Sequence, residues 1–252
     1  MIEETQQTPR IAVVIPCFNH ADVLRRTLDA LFSQTFKPSE IVVIDDGSTD
    51  HPERVIEEFE NKSPSLHKEG AVGVQLVRFD TNRGAPAARN EGARITSSPY
   101  VIFLDADSEL VPTALETYVK TLEQHPEAAF AYANLHWGKK AFPSRAYDLA
   151  ALKKRNYIHT SGLIRRSEFP GFDESIKKFQ DWDLWLTMAE QGKKGIWINQ
   201  FLYVVEPRRF GGISKWIPSW LHRVPWPIFG WMPKEIKKYR AAEAIIRNKH
   251  GI

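Results

Sequence analysis

A repeated alternation in the first half of this chain limits its possible folds more than any other feature. Ile11-Ala12-Val13-Val14-Ile15, Ile41-Val42-Val43-Ile44 and Tyr100-Val101-Ile102-Phe103-Leu104 are continuous apolar runs, as in strands buried on both faces. Pro16 closes the first of them, and Val74 to Phe79 reads as a further strand between the second and third runs. Helical stretches lie between. Val23, Leu24, Leu28, Leu31 and Phe32 recur at helical spacing, and Pro52 to Glu60, the Ala-rich Gly84 to Ile95 and Pro112 to Glu123 follow, with a fifth strand at Ala128 to Ala133. Asn61 to Gly73 is polar and loop-like. Strands alternating with helices through short connections predict an α/β fold, a mostly parallel sheet with helices on both faces. Such sheets bind ligands beyond the carboxyl ends of their strands.

The unusual polar motifs of the first half all fall at that rim. Cys17-Phe18-Asn19 follows the first strand, Asp45-Asp46-Gly47-Ser48-Thr49-Asp50 the second, Asn82-Arg83-Gly84 the third and Asp105-Ala106-Asp107 the fourth. The last motif is chemically the most pointed. Two carboxylates at i, i+2 after a strand aim at the same rim, and they repel unless a cation lies between them. A hard dication takes one or two protein carboxylates and completes its shell with phosphate oxygens and water. The tripeptide therefore reads as a grip on a metal diphosphate, although a lone Asp-x-Asp is more often a solvated turn. No Gly-x-Gly-x-x-Gly and no Walker-type glycine-lysine loop is present, which disfavours dinucleotide dehydrogenases and P-loop NTPases.

At 252 residues the chain suits one large α/β domain, with or without an appendage. Cys17 is the only cysteine, which excludes an intrachain disulfide or a cysteine zinc site and fits a reducing, cytoplasmic setting. Met1 to Arg10 lacks the apolar core of a signal peptide, and no run approaches the ~20 apolar residues of a membrane span. The net charge of +3 conceals an asymmetry. Residues 207–252 hold 10 Lys and Arg against 2 Asp and Glu, while residues 1–206 hold 24 against 29. A basic segment beside an acidic body suggests an anionic partner.

Val14-Ile15-Pro16-Cys17-Phe18-Asn19, the Asp45 to Asp50 motif, Asn82-Arg83-Gly84 with Ala87-Ala88-Arg89-Asn90, and Asp105-Ala106-Asp107 resemble the family-2 glycosyltransferases of the GT-A fold in order and spacing. Gly171-Phe172-Asp173-Glu174 and Gln180-Asp181-Trp182-Asp183-Leu184-Trp185-Leu186 look like that family's acceptor-side motifs, so the resemblance covers roughly residues 10–205. It implies a Rossmann-like GT-A catalytic domain over 1–206, with a nucleotide-sugar half at about 10–110 and an acceptor half at about 111–206, followed by a basic Trp/Pro-rich extension over 207–252.

The resemblance implies roles for individual residues. Pro16, Phe18, Asn19, Asp45, Asp46, Arg83, Arg89, Asp105, Ala106 and Asp107 would form the nucleotide-sugar site. Phe18 would stack on the base, unless it is a core aromatic. Asp46, supported by Asp45, would accept a base N–H and favour uracil or thymine, unless both serve turn chemistry. Arg83 and Arg89 would meet the base or diphosphate, although lone arginines are usually solvated. Asp107, with Asp105, would hold Mn²⁺ or Mg²⁺. Asp181 would be the general base, whereas by spacing alone it reads as a helix N-cap. At ~100° per residue Asp183 points about 200° away and is structural. Gln180 stands where the family usually has Glu. His159, Trp182 and Arg208 would lie on the acceptor side.

The implied activity is inverting, metal-dependent transfer from a nucleoside-diphosphate sugar, UDP-linked, to a glycan or lipid-linked acceptor in cell-surface glycan synthesis. The alternatives are a catalytically impaired sugar-nucleotide-binding scaffold, which Gln180 leaves open, and a nucleotidyltransferase, which lacks a glycine-rich donor loop here. In the extension, Arg208 to Ser214 reads as a glycine-hinged loop over the diphosphate or as an ordinary surface loop. Trp216, Trp220, Trp226 and Trp231 among prolines and basic residues, then an amphipathic helix from Lys234 to His250, suggest peripheral contact with the inner face of a membrane. Packing on the catalytic domain or in a dimer seam is the other reading. No nucleic-acid module is recognisable.

Overall fold

The computed structural model describes residues 10–62, 73–206 and 232–252. In chain order its elements are β1 (Ile11–Cys17), α1 (Ala21–Phe32), β2 (Glu40–Asp45), α2 (Pro52–Lys62), β3 (Val74–Arg78), α3 (Ala85–Ile95), β4 (Tyr100–Phe103), β5 (Ser108–Leu110), α4 (Ala114–Gln124), β6 (Phe130–Trp137), β7 (Lys140–Phe142), α5 (Leu149–Lys154), β8 (Leu163–Arg165), α6 (Gln180–Glu190), β9 (Gly195–Val205) and α7 (Lys234–His250). The described strands form one sheet in the order β3-β2-β1-β4-β8-β6-β9-β5, with β7 beside β6. From β3 to β4 every pairing is parallel. The second half is mixed: β8 lies antiparallel between β4 and β6, β9 is parallel to β6, and β5 is antiparallel to β9.

One boundary differs from expectation. Strand β1 continues through Pro16 to Cys17. Neighbouring residues of a strand turn their backbone groups to opposite sides. The Cys17 carbonyl accepts from Asp46 N at 2.8 Å on the β2 side, and the Val14 carbonyl accepts from Leu104 N at 3.0 Å on the β4 side. Pro16, two residues beyond Val14, therefore turns its missing N–H toward β4, which has already ended at Phe103. The proline sits in a central strand without removing a ladder bond.

Apolar layers cover the sheet. Leu24, Leu28 and Leu31 of α1 pack with Tyr118 of α4 in one cluster, while Val14, Phe103, Phe130, Trp185 of α6 and Ile246 of α7 share another. A Cβ on Gly92 would fall 2.2 Å from Val14 Cγ1, so α3 lies on β1 at a separation that only glycine permits.

Helix α7 spans Lys234 to His250 as expected, and its apolar side is turned onto the domain. Ile236 and Ile246 are buried, and the Tyr239 ring meets Phe179 edge-on at 4.9 Å. Lys249 Nζ lies 2.7 Å from both Asp173 and Asp183, and His250 is held between Asp183 at 2.9 Å and Glu190 at 2.7 Å. Among the described residues no helix is long and apolar enough to cross a membrane. The loop at Arg208 to Ser214 and the segment bearing Trp216, Trp220, Trp226 and Trp231 lie outside the described residues.

Candidate active site

The rim motifs first of all hold one another. Asp46 follows β2, and its two carboxylate oxygens accept from Arg83 N at 2.6 Å and Gly84 N at 2.8 Å. This fixes the entry into α3, where Gly84 takes a φ of +96° that a side chain would resist. Asn19, itself at a φ of +53°, accepts from Thr49 N at 2.9 Å through Oδ1, and its backbone N–H donates to Ser48 Oγ at 3.0 Å. The loops after β1, β2 and β3 are thus tied into one surface. Phe18 projects from it 42% exposed, which leaves a ring face open at the position expected to stack on a base. Arg83 is also at the surface, over the Phe79 ring and 3.7 Å from Glu174.

Two expected donor contacts change character. Asp45 is fully buried: Oδ1 accepts from Ser48 N at 2.8 Å and Oδ2 lies 3.1 Å from Arg78. It shapes the Asp-Asp-Gly-Ser turn from a buried position. Arg89, expected at the base or diphosphate, is buried on α3. Its guanidinium donates to Asp105 Oδ1 at 2.7 Å and to Gln180 Oε1 at 2.8 Å, and it lies over the Phe172 ring. A buried guanidinium needs such partners, and here they join the turn after β4 to the start of α6. Gln180 therefore accepts the hydrogen bond that a Glu at its position would accept, with one fewer negative charge beside Asp181. Burial pushes the Asp105 carboxyl up, but Arg89 and His159 outweigh it and hold the group below its ordinary value of 3.8. Pro16 is buried in β1. Ala106, also buried, accepts through its carbonyl from Thr27 Oγ1 at 2.7 Å. Asp107 is partly exposed beside Asp105 in the turn before β5.

Helix α6 begins at Phe179, whose left-handed backbone (φ +61°) costs a bulky residue about 1–3 kcal/mol. The rings of Trp182 and Tyr239 hold it there. Asp181 sits in the first turn and accepts from Trp182 N at 2.9 Å. Burial dominates its titration. Although His159, the Trp182 amide and Arg89 offset it in part, the carboxyl is held above its ordinary value of 3.8, and the neighbouring Asp105 charge adds to the rise. Asp183, two residues on, is buried and turned to Lys249 and His250. The two carboxylates of this helix thus have separate partners.

A cavity of about 450 Å³ is lined by Asp181, His159 and Tyr203 together with residues of β6, β7 and the loops around α5. The His159 ring lies 5.3 Å from that of Tyr203. Trp182, expected on the acceptor side, is not part of the cavity. It is buried, with its indole N–H donating to Leu152 O at 2.7 Å, because one helical residue step rotates it away from Asp181. Arg208 lies outside the described residues. Sequence reasoning missed Arg145, Arg155, Asn156 and Tyr157 in the cavity wall. The run Lys153-Lys154-Arg155-Asn156-Tyr157 ahead of His159 was the available signal.

Residues 12–179 match the sequence model of the family described as Glycosyl transferase family 2. The chain belongs to this family. The glycosyltransferase WfaP of Escherichia coli, named for transfer from UDP-Glc to alpha-D-GlcNAc-diphosphoundecaprenol, is 25% identical over 196 residues, which is 73% of this chain and 72% of WfaP. The structure of S. aureus TarS 1-349 with UDP-GlcNAc superposes with a TM-score of 0.68 at 17% identity, over 82% of this chain and 62% of TarS. The mannosyltransferase PcManGT of Pyrobaculum calidifontis, solved with GDP-Man and Mn²⁺, gives a TM-score of 0.63 at 21% identity, over 96% of this chain and 71% of PcManGT. These likenesses show the GT-A fold. The first curated relatives are longer, and the aligned part of this chain spans only 33–37% of their length.

Proposed function

We propose that this family-2 glycosyltransferase moves a sugar from a UDP-linked donor to an acceptor hydroxyl, with inversion at the anomeric carbon. The observation that carries the reading is Asp181: a carboxylate in the wall of a cavity, close to Asp105 and held above its ordinary pKa. A general base works best with a pKa raised toward the operating pH. In this reading Asp181 takes the proton of the acceptor hydroxyl, the oxygen bonds to the anomeric carbon from the face opposite the leaving group, and the bond from sugar to diphosphate breaks. One displacement inverts the centre. The exposed Phe18 ring supports base stacking, and the UDP-GlcNAc bound by TarS supports a uridine donor.

The donor set suits a hard dication. Asp105 and Asp107 offer carboxylate oxygens at one rim, with Asp105 shared with Arg89 and kept ionised. No group of three or more His, Cys, Asp or Glu residues that could hold an ion occurs among the described residues, so the diphosphate and water would have to supply the remaining ligands. Asp107, with Asp105, would hold Mn²⁺ or Mg²⁺, which stabilises the departing diphosphate.

We place the acceptor in cell-surface glycan synthesis at the inner face of a membrane. The +8 balance and four tryptophans of residues 207–252 support this, as does the lipid-linked acceptor named for WfaP. The deciding experiment follows turnover of a UDP-sugar panel with and without Mn²⁺. Chelation is expected to abolish turnover and Mn²⁺ to restore it, and Asp107→Ala should lose the metal response. A donor that is bound but turned over equally well by Asp181→Asn would remove Asp181 from the mechanism. Recovery of the protein away from anionic liposomes on flotation would remove the membrane.

A further inference from the structure

The cavity lined by Asp181 carries a charge pattern that sugar transfer alone does not require. Arg145, in the loop after β7, and Arg155, at the end of α5, are both exposed and both line it, although they come from separate segments. Arg145 pairs with Asp148 Oδ2 at 3.4 Å, while the other oxygen of Asp148 caps α5 by accepting from Ala151 N at 3.1 Å. Arg155 has no ion pair among the described residues. Basic residues at a helix C-terminus often do no more than complement its dipole, and Lys153 and Lys154 fit that account. Arg155 differs because it faces the same cavity as Arg145. The rest of the lining mixes apolar Ala133, Leu135, Phe142 and Ile158 with polar Ser144, Asn156 and Tyr157. A volume of about 450 Å³ lies within the roughly 300–1,000 Å³ of small-molecule sites.

Resting on the transferase reading above, we infer that the acceptor is an anionic saccharide whose phosphoryl or carboxylate group is held by Arg145 and Arg155 while its hydroxyl meets Asp181. Arginine suits this task because its planar fork pairs with either oxyanion.

The test is calorimetric titration of the full chain, saturated with UDP so that the donor rim is filled, with N-acetylglucosamine 1-phosphate, glucuronate and neutral N-acetylglucosamine. The charged sugars are expected to bind about tenfold more tightly than the neutral one, as charge-assisted hydrogen bonds allow. Arg155→Ala should erase most of that preference without altering UDP affinity, and Arg155→Lys should restore part of it. A stronger signal from the phosphate or from the uronate identifies which oxyanion the site takes. Equal binding of charged and neutral sugars, binding of neither, or an Arg155→Ala and Arg145→Ala double variant that keeps the preference, overturns the inference. A protein that binds no nucleotide but keeps the charge preference breaks the transferase reading instead. Nucleotide binding without charge preference breaks only the anion site.

Discussion

The donor rim and the cavity lined by Asp181 are built in opposite ways. At the rim, the polar side chains are largely committed to the protein: both oxygens of Asp46 hold the Arg83-Gly84 backbone, Asp45 closes its own turn, and Asn19 ties two loops together. In the cavity, Arg155 has no ion pair among the described residues, and Arg145 pairs with the partly exposed Asp148 at 3.4 Å. The rim is preorganised, so a ligand meets loops that have already lost their freedom. The cavity keeps its charges for whatever enters. This contrast suits a surface that must fit one cofactor-like donor and a second that sets which acceptor is used.

Asp181→Asn tests the junction of the two regions and should have the largest effect. Transfer is expected to fall about 10³-fold, the middle of the range for a general base, with donor binding retained. In the wild type, kcat/KM should fall on the acid side along a limb lying above 3.8. The same substitution should raise Tm at neutral pH. A carboxyl whose folded pKa lies above its unfolded value favours the fold below that unfolded value and opposes it progressively as pH rises through the folded value. The Tm difference should therefore vanish in acid. Asp105, held low, behaves inversely: its contribution is present above 3.8 and is lost as pH falls through its depressed value.

Asp46→Ala tests whether the rim is self-supporting. Loss of two charge-assisted bonds to backbone should destabilise the fold by about 3 kcal/mol, read by chemical denaturation, and weaken UDP binding with it. Weakened UDP binding without loss of stability would make Asp46 a ligand contact and not a loop clamp. Asp183→Asn should cost about 2 kcal/mol, because it leaves the partly exposed Lys249 and the buried His250 short of a partner, and it should change transfer far less than Asp181→Asn does. Gln180→Glu should have the smallest effect. The added charge beside Arg89 and Asp181 is expected to move the acid limb of the pH profile upward, with rates at the optimum within a few fold.

The parallel half of the fold was legible because its strands are long apolar runs and its helices keep a clean period. The second half was not. β5, β7 and β8 are three residues each, too short to show a period, and the sheet turns antiparallel at β8, where no hairpin signal marks it. Within the site, a motif locates the carboxylates but not their partners. Nothing local distinguishes Asp45, enclosed by Arg78, from Asp46, which holds the next loop. Arg89 reads as a solvated arginine until the fold brings Asp105 and Gln180 to it. Trp182 was placed by its neighbour in sequence, and the helix rotates it into the core. The cavity draws on β6, β7, α5 and α6, so no single stretch of sequence announces it.

Gly92 lies one turn beyond Arg89 on α3, pressed against Val14, and touches no ligand. Any side chain there lifts the helix off β1 and with it the arginine that joins Asp105 to the start of α6. In a saturation scan of activity this position should be as intolerant as the general base itself. A map of sensitive residues would then trace the close packing beneath the site as sharply as the site, and chemistry would have to be separated from architecture by asking which intolerant variants still fold.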